Sequence, residues 1–566
     1  MNKNTETTES NRVYIFDTTL RDGAQTPFIG MGFKERYLIA KALAYVGVDV
    51  IEAGFAANNV DYGIIQVIAE NLGRSKNSPI ICSLARAILE DIELAYESLK
   101  PAIPSKRRIH TFIGTSEELM NDSHGKREKM VLKMVEDSVC LAKKLVGPNG
   151  QVQYSSEDSM RTDRDFLIET IQVAVDSGAD IINIPDTTGF ATPDQYYKAV
   201  RDIKEKVNRI DDVILSTHIH HDSGNTIPLT MKGLEAGIRQ VEGCVLQLGE
   251  RAGNTDWMTV VANILFRDPK NIPYDVSHIK AKEFYDLAQL VSSTIGNDIP
   301  LNHPVVGRAA CAESSGIHVK GVLKNPKTYF VIDPNDIGRE VEIVLGQTSG
   351  SNTVANFLRH HGYGDLDNGF TEDRVERMTT AVKECSMKIK GSLNETESKL
   401  LAEHYVKGKP YDKEVKLVYW RSMDEKDGRP KFEVHVNVEG KVKVGRAEGD
   451  GPVDGFMNAM KAALSIKGNG IELKDWQEHA EYYGFGAPGY DILDKLDLSP
   501  TEKTMLSLSN GGSKGQQALA HSVVEITHNG KSYHGRGFSQ KITEATYEAI
   551  ADAFDAMYRL NENPQN

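Results

Sequence analysis

The chain has 566 residues, several times the roughly 150 residues of an average domain, so a single compact core is not expected. It carries 66 Lys and Arg against 80 Asp and Glu, and the net charge of −14 argues against a nucleic-acid partner. Hydrophobic residues make up 40% of the chain, which is typical of folded domains, yet no apolar stretch is long enough to cross a bilayer. These features exclude a nucleic-acid-binding, membrane-spanning or wholly disordered protein.

The cysteine content and the polar N-terminus indicate where the protein works. The cysteines are odd in number, widely spaced and without a CxxC pair, which excludes a disulfide framework and a thiolate zinc site: Cys82, Cys140, Cys244, Cys311 and Cys385. Residues 1–10 are polar, lack the apolar core of a signal peptide and are predicted to be disordered, and 561–566 are predicted to be a tail. We therefore expect a reducing, cytoplasmic setting.

Residues 11–275 alternate short β-rich runs with longer amphipathic stretches, the pattern of consecutive βα units around a parallel sheet. Eight units over about 250 residues predict a (β/α)8 TIM barrel, with its chemistry at the carboxyl ends of the strands. An open doubly wound sheet is the alternative. The eight predicted strands are Val13–Phe16, Asp49–Ala53, Ile80–Leu84, Arg108–Ile113, Val152–Ser155, Asp180–Pro185, Val213–His218 and Gln240–Leu246.

Two further regions follow the predicted barrel. Residues 276–412 read as helical connector subdomains, with helices over Lys280–Ile295, Asn352–His360 and Thr371–Lys390. Residues 413–560 contain a repeat, because segments 440–460 and 530–550 align without gaps and share Gly, Lys, Gly and Arg at equivalent positions. We predict an α+β domain of two ββα repeats whose seam forms either a regulatory ligand pocket or only a dimerisation surface.

The segment 216-STHIHHD-222, at the end of the seventh predicted strand, is the clearest candidate for a metal site. Alternate residues of a strand point to the same side, so His218 and His220 can both offer imidazole nitrogens to one ion at the barrel mouth. His221 faces the other way and is interpreted as an ordinary surface residue. The HxH pair therefore predicts metal binding.

Carboxylates that complete such a site lie at the ends of the first two strands. Asp17 and Asp22 flank Arg21 in 16-FDTTLRDG-23, and Glu52 closes the second strand. A carboxylate buried beside Arg is costly unless it is paired or bound to a metal, so we expect Glu52 to hold Arg21 and Asp22 to face the ion. Asp17 is interpreted as a structural residue. Mixed carboxylate and imidazole ligands suit a divalent Mg, Mn or Zn ion.

Other strand ends add polar side chains to the same predicted face. Each could simply cap the following helix, but their number on one face favours substrate binding. The residues are His110, Ser155, Glu157, Thr187 and Asn254, whereas Asp158 and Asp186 are interpreted as caps.

Several of these motifs, in this order, resemble the acyl-CoA:2-oxoacid Claisen condensation enzymes, and most closely those that form 2-isopropylmalate. The resemblance extends over essentially the whole chain, because the C-terminal repeat is similar to the leucine-binding regulatory domain of those enzymes. The motifs are FDTTLRDGAQTP, IEAGF, RIHTFIGTS, IPDTTGF, HIH followed by VEGCVLQLGERAGN, and SSGIHVKGVLKNPKTY.

The resemblance implies a role for each candidate residue. It implies that Asp22, His218, His220 and Asn254 bind a divalent metal, with Asn254 as a further ligand or behind the ligands. It implies that the 2-oxoacid contacts His110, Ser155, Glu157 and Thr187, and that Arg21, Glu52, His318 and Tyr329 are catalytic. His318 matches a proposed general base and Tyr329 a residue beside it, and in such homodimers both reach the barrel of the other subunit.

The resemblance also implies the reaction, the condensation of acetyl-CoA with a 2-oxoacid, 2-oxoisovalerate above all, and hydrolysis to 2-isopropylmalate and CoA at the entry to leucine synthesis. Leucine is the implied inhibitor. Ala24, Ala56 and His221 depart from the family pattern and border the pocket, so citramalate, homocitrate or longer alkylmalate synthesis are alternatives. A metal-dependent lyase and a non-catalytic amino-acid sensor are further alternatives, which the regulatory repeat and the intact ligand set disfavour.

Overall fold

The computed structural model describes residues 11–366, 368–389, 391–409, 413–423, 429–438, 440–466, 471–481, 519–529, 531–539 and 541–560. The predicted disordered N-terminus, the predicted tail and Gly530 of the repeat lie outside these ranges. Within them, two units separate, one formed by residues up to 312 and 325–341, the other by 313–324 and residues from 342 onward. The domain limits at 275 and 412 stay predictions.

Eight parallel strands close into a barrel in chain order, with the last strand paired to the first, as the sequence predicts. Apolar residues of these strands and of the surrounding helices pack together and form one core. The strands are β1 (Tyr14–Asp17), β2 (Val50–Phe55), β3 (Ile80–Arg86), β4 (Arg107–Gly114), β5 (Gln151–Glu157), β6 (Ile181–Asp186), β7 (Ile214–Ile219) and β8 (Gln240–Gly243).

Each strand is followed by a helix whose ends follow local rules. The helix after β1 ends at Gly47, which adopts the left-handed conformation (φ 104°) that glycine tolerates. Thr192 and Gln195 form a capping box at the start of the helix after β6. The barrel helices are α1 (Phe33–Val46), α2 (Asn59–Leu72), α3 (Leu89–Leu99), α4 (Glu128–Val146), α5 (Arg164–Asp176), α6 (Pro193–Lys206), α7 (Thr226–Ala236) and α8 (Trp257–Leu265).

The last barrel strand is shorter than predicted. The sequence indicates a strand to Leu246, but β8 ends at Gly243, where a Cβ atom would meet the carbonyl oxygen of Thr255. The chain then makes a 3₁₀ turn over Val245–Gln247, in which Leu246 has a φ of 55°. This turn carries the following segment back towards the barrel mouth, where Asn254 pairs with His220 in an isolated bridge.

The connector is helical, as predicted, and contains two helices that the sequence analysis missed, Gly316–Lys324 and Glu395–Tyr405. Asn394 caps the second of them with Glu397 in a capping box, a local signal that could have identified it. The connector elements are α9 (Phe284–Ile295), β9 (Ala312–Glu313), α10 (Gly316–Lys324), β10 (Glu342–Ile343), α11 (Ser351–His360), β11 (Asp365–Leu366), β12 (Gly369–Phe370), α12 (Glu372–Ile389) and α13 (Glu395–Tyr405).

The repeat consists of two antiparallel three-stranded sheets, each followed by a helix, so each copy has one strand more than the ββα pattern requires. Gly445 and Gly535 are equivalent, because a Cβ atom at either would meet the backbone of the helix of its own copy, at Ala459 and Ala549. Both copies share one core. The elements are β13 (Val415–Met423), β14 (Lys431–Val438), β15 (Lys441–Glu448), α14 (Pro452–Ala463), β16 (Ile471–Glu481), β17 (Leu519–His528), β18 (Lys531–Ser539) and α15 (Ile542–Leu560).

No helix in the described part of the chain combines the length and the apolar character that crossing a bilayer requires.

Candidate active site

A cavity of about 330 Å³ opens at the carboxyl ends of the barrel strands. Eight of the predicted site residues line it: Arg21, Asp22, His110, Ser155, Glu157, Thr187, His218 and His220. Glu52 and Asn254 are buried next to lining residues, with 0% and 1% of their surfaces exposed. The barrel therefore brings ten of the predicted residues to one end, as expected for enzymes of this fold.

Asp22, His218 and His220 form a compact triangle. The Nε2 atoms of the two histidines are 3.2 Å apart, and Asp22 Oδ2 lies 3.3 Å from that of His218 and 3.6 Å from that of His220. Ligands at right angles around a divalent ion, at about 2.1 Å, are about 3.0 Å apart, and tetrahedral ligands are somewhat farther apart. The spacing and the chemistry of these donors therefore fit a divalent metal ion.

Asn254 contacts this triangle through its amide nitrogen. Nδ2 donates to Asp22 Oδ2 at 2.9 Å and to the carbonyl oxygen of Leu248 at 3.1 Å. The amide therefore holds the carboxylate of Asp22 in place, a function typical of residues behind metal ligands. Its Oδ1 is buried without a hydrogen-bond partner, so both roles implied for Asn254, a further ligand and a residue behind the ligands, stay predictions.

Arg21 is fixed by a buried carboxylate beneath it. Its Nε donates to Glu52 Oε2 at 2.6 Å, and Thr18 Oγ1 donates to the same oxygen at 2.7 Å. The other oxygen of Glu52 lies 2.7 Å from His110 Nδ1, and His110 Nε2 lies 2.6 Å from Ser155 Oγ. One chain of hydrogen bonds thus orients a cation, an imidazole and a hydroxyl towards the cavity.

The charges of this cluster stabilise one another. Burial alone would raise the pKa of Glu52, but Arg21 and His110 outweigh burial and hold that pKa at about 2. For the same reason the pKa of Asp22 is held well below its usual range, since Arg21 and His218 outweigh burial. Both carboxylates are therefore ionised at neutral pH, which metal binding by Asp22 requires.

Glu157 and Thr187 also line the cavity. Burial, together with the neighbouring Asp158, raises the pKa of Glu157. Thr187 accepts a hydrogen bond from the backbone amide of Asp158 at 2.9 Å. Both residues therefore offer polar groups to a ligand in the cavity while being held by the loop after β5.

The two predicted catalytic residues outside the barrel have different locations. Tyr329 follows a short 3₁₀ helix of the first unit and is 42% exposed, and it is absent from the described lining of the barrel cavity. His318 lies on α10 in the second unit, where its Nδ1 is 3.0 Å from Glu313 Oε2. Their roles stay predictions.

Comparison with known proteins shows the family to which the chain belongs. Family models match along its length: HMGL-like at residues 12–291, homocitrate synthase post-HMGL domain-like at 305–390, and LeuA allosteric (dimerisation) domain at 394–489 and 510–558. The 2-isopropylmalate synthase of Aquifex aeolicus is 34% identical over 547 residues, 96% of this chain and 95% of that protein. The chain belongs to the 2-isopropylmalate synthase family.

A second synthase agrees with this assignment. The 2-isopropylmalate synthase of Pyrococcus furiosus is 33% identical over 97% of this chain and 100% of its own length. Among solved structures, a Bacillus HMG-CoA lyase is 16% identical, with a TM-score of 0.44, over 51% of this chain and 96% of that chain. Membership of the synthase family confirms the resemblance read from the motifs.

Glu242 on β8 is the site residue that sequence reasoning missed in this family member. It is fully buried and accepts hydrogen bonds from Gln153 and Ser216, at 2.7 and 2.8 Å. Its Oε2 lies 3.5 Å from Nδ1 of His218, the ring nitrogen that faces away from the metal triangle. The alternation of β8 could have revealed it, because Gln240 and Glu242 must point into the barrel together.

The residues interpreted as structural have structural surroundings. Asp17 accepts hydrogen bonds from Thr19 and from Trp257 Nε1, the latter at 2.8 Å. Asp186 accepts the backbone amides of residues 190 and 191, in keeping with its interpretation as a cap. His221 pairs with Thr226 Oγ1 at 2.8 Å, away from the metal triangle.

Proposed function

We propose that this barrel condenses acetyl-CoA with 2-oxoisovalerate and releases 2-isopropylmalate and CoA. The single observation that carries the proposal is the triangle of Asp22, His218 and His220 beside the fixed guanidinium of Arg21. Chelation of a 2-oxoacid needs a metal with open positions, and the developing alkoxide needs a cation nearby. Both requirements are met at one end of the barrel.

A divalent ion held by Asp22, His218 and His220 supplies Lewis-acid activation of the ketone when bound. Arg21 is placed to stabilise negative charge on the former keto oxygen, and Glu52 keeps the guanidinium from turning away. His110, Ser155, Glu157 and Thr187 bind and orient the 2-oxoacid around this centre. One carboxylate and two imidazoles suit Mg, Mn or Zn, so metal reconstitution decides among them.

The apolar part of the cavity lining supports a branched alkyl substrate. Phe55, Leu84, Phe112 and Pro185 form this part of the lining. An isopropyl group gains from such contacts, whereas the second carboxylate of 2-oxoglutarate would lose hydration there. This lining favours 2-oxoisovalerate over the substrate of a homocitrate synthase.

Removal of a proton from the thioester methyl group requires a positioned base. We assign this step to His318 and a supporting role to Tyr329, both acting on the barrel of the other subunit in a homodimer. The LeuA allosteric (dimerisation) match supports a dimer. In the chemical balance, the methyl proton goes to the base, the new C–C bond forms at the ketone carbon, and water then cleaves the thioester to release CoA.

Leucine is the proposed effector, and the seam of the repeat is its proposed site. A cavity of about 970 Å³ is lined there by α14, the start of β16 and the start of α15. Met457, Ile471, Leu473 and Tyr547 offer apolar surface. The carboxylates of Asp454 and Glu472 and the ammonium of Lys461 offer charges of both signs. This combination matches a zwitterion with an aliphatic side chain.

The test is a thiol-release assay with purified full-length protein, acetyl-CoA and 2-oxoisovalerate, pyruvate or 2-oxoglutarate. We expect release with 2-oxoisovalerate, loss on chelation, recovery with one of the three metals, and inhibition by leucine but not by lysine. Absence of CoA release with every 2-oxoacid and metal would favour the non-catalytic sensor. A preference for pyruvate or 2-oxoglutarate would change the proposed 2-oxoacid but leave the proposed condensation reaction unchanged.

A further inference from the structure

A second cavity, of about 440 Å³, lies at the opposite end of the barrel from the metal triangle. Its lining comes from the segments that lead into β1, β2 and β3, from the first residues of β4, β5 and β7, and from His278. These are the amino ends of the strands, where TIM barrels place residues that serve stability rather than catalysis. The charges in this cavity do not fit a purely stabilising role.

Arg108, the second residue of β4, carries a buried charge that no carboxylate of the described residues contacts directly. Only 2% of the residue is exposed, and its guanidinium donates to the side-chain oxygens of Gln151, Gln153 and Gln240, all of them neutral. Among the described residues, no carboxylate forms an ion pair with it within the usual 4.0 Å. Burial lowers the pKa of Arg108, as expected for a cation that lacks a partner.

The carboxylate that lines the cavity is already committed to other partners. Asp49 accepts Arg12 Nη2 at 2.7 Å through one oxygen, and the amide of Ile15 and the ring of His278 through the other, at 2.8 and 2.9 Å. It is the only carboxylate among the described lining residues, so it cannot also neutralise Arg108.

Lys106 adds a further cation at the start of β4, and burial lowers its pKa. Three cations, from Arg12, Lys106 and Arg108, thus share one carboxylate, from Asp49. The excess is two positive charges (3 − 1) even with His278 neutral. An apolar or cationic ligand would worsen this imbalance, whereas a doubly charged anion removes it.

We propose that this cavity binds a phosphate group, either as inorganic phosphate or as the end of a small phosphomonoester. A phosphate carries about −1.5 to −2 charges at pH 7 and accepts hydrogen bonds on several oxygens, which suits two guanidinium groups and an ammonium. The site lies in the first unit together with the metal triangle but shares none of the residues that line the catalytic cavity.

The experiment is calorimetric titration of the metal-free full-length protein with inorganic phosphate and, separately, with glycerol 3-phosphate at constant ionic strength. We expect saturable binding of one equivalent by wild-type protein and an increase of about tenfold in Kd for Lys106→Gln, the size expected for one lost charge-assisted hydrogen bond. Lys129→Gln, an exposed lysine on α4, is the matched control and should bind as wild type does. Arg12→Gln provides a second variant if Lys106→Gln fails to fold.

Three outcomes would overturn the proposal. The first is the absence of saturable binding of either probe, and the second is equal affinity in wild type and both cavity variants. The third is binding that is lost in Arg21→Gln but kept in Lys106→Gln, because the anion would then bind in the catalytic cavity. Tighter binding of glycerol 3-phosphate than of phosphate would identify the phosphomonoester as the ligand form. None of these readouts requires condensing activity, so failure here is distinguishable from failure of the proposed reaction.

Discussion

The cavity at the barrel mouth and the cavity in the seam of the repeat are lined by different kinds of surface. In the barrel, a small cavity is surrounded by buried charges held through short hydrogen bonds, as between Arg21, Glu52 and His110. In the repeat, a larger cavity is lined mainly by apolar and neutral side chains, with Asp454, Lys461 and Glu472 as its charges.

The difference follows from what each cavity has to stabilise. A transition state gains from charges fixed in advance, because their reorganisation is then not part of the barrier. An effector gains from shape and apolar area, and its binding energy is used to shift a conformational equilibrium. Substitutions in the barrel should therefore affect turnover or metal binding, and substitutions in the repeat should affect only regulation.

The largest effect is expected for His220→Ala. This change removes one of three metal donors, so we expect turnover to fall to background and metal affinity to fall together with it. Thiol release and metal titration measure the two quantities. His221→Ala is the matched control, because that neighbouring imidazole pairs with Thr226, and it should retain activity. Full turnover by His220→Ala would show that His220 is not a metal ligand needed for the reaction.

Glu52→Gln tests whether Arg21 must be fixed by a charge. The amide keeps the size of the side chain but leaves the guanidinium without its buried countercharge, so we expect kcat to fall by about 10²-fold. Thr18→Val is the control, since it removes a neutral donor from the same oxygen and should cost at most about tenfold. Equal losses in the two variants would mean that the charge of Glu52 is dispensable.

Much of this site could be predicted from the sequence because its signals are local. The HxH pair on β7 and the Arg-Asp pair after β1 have side-chain directions that follow from the strand pattern alone. Glu242 and Arg108 were missed because their importance depends on contacts across the barrel interior, between residues as far apart as Arg108 and Gln240. The early end of β8 was missed because close approach of Thr255 to Gly243 is a tertiary feature.

Glu242→Gln tests how strongly the buried hydrogen-bond network beneath the site affects the affinity for the metal. We expect metal affinity to fall about 10- to 100-fold, because the carboxylate beside Nδ1 of His218 orients that ring and raises its basicity. At saturating metal, kcat should recover most of its wild-type value, which a general loss of folding would not allow. Glu235→Gln, an exposed carboxylate on α7, is the control. Unchanged metal affinity would mean that Glu242 contributes to packing and not to metal binding.

The smallest effect, and the one that separates the two cavities most sharply, is expected for Lys461→Gln. Lys461 lines the seam, and removing one charge from a carboxylate-binding site should raise the leucine concentration for half-inhibition by about tenfold, with basal kcat and KM unchanged. Lys441→Gln, on β15 and outside the cavity lining, should leave inhibition as it is. A loss of basal turnover in Lys461→Gln would contradict the expectation that substitutions in the repeat affect only regulation, since the repeat would then support the reaction itself. Unchanged inhibition would instead remove Lys461 from the effector site.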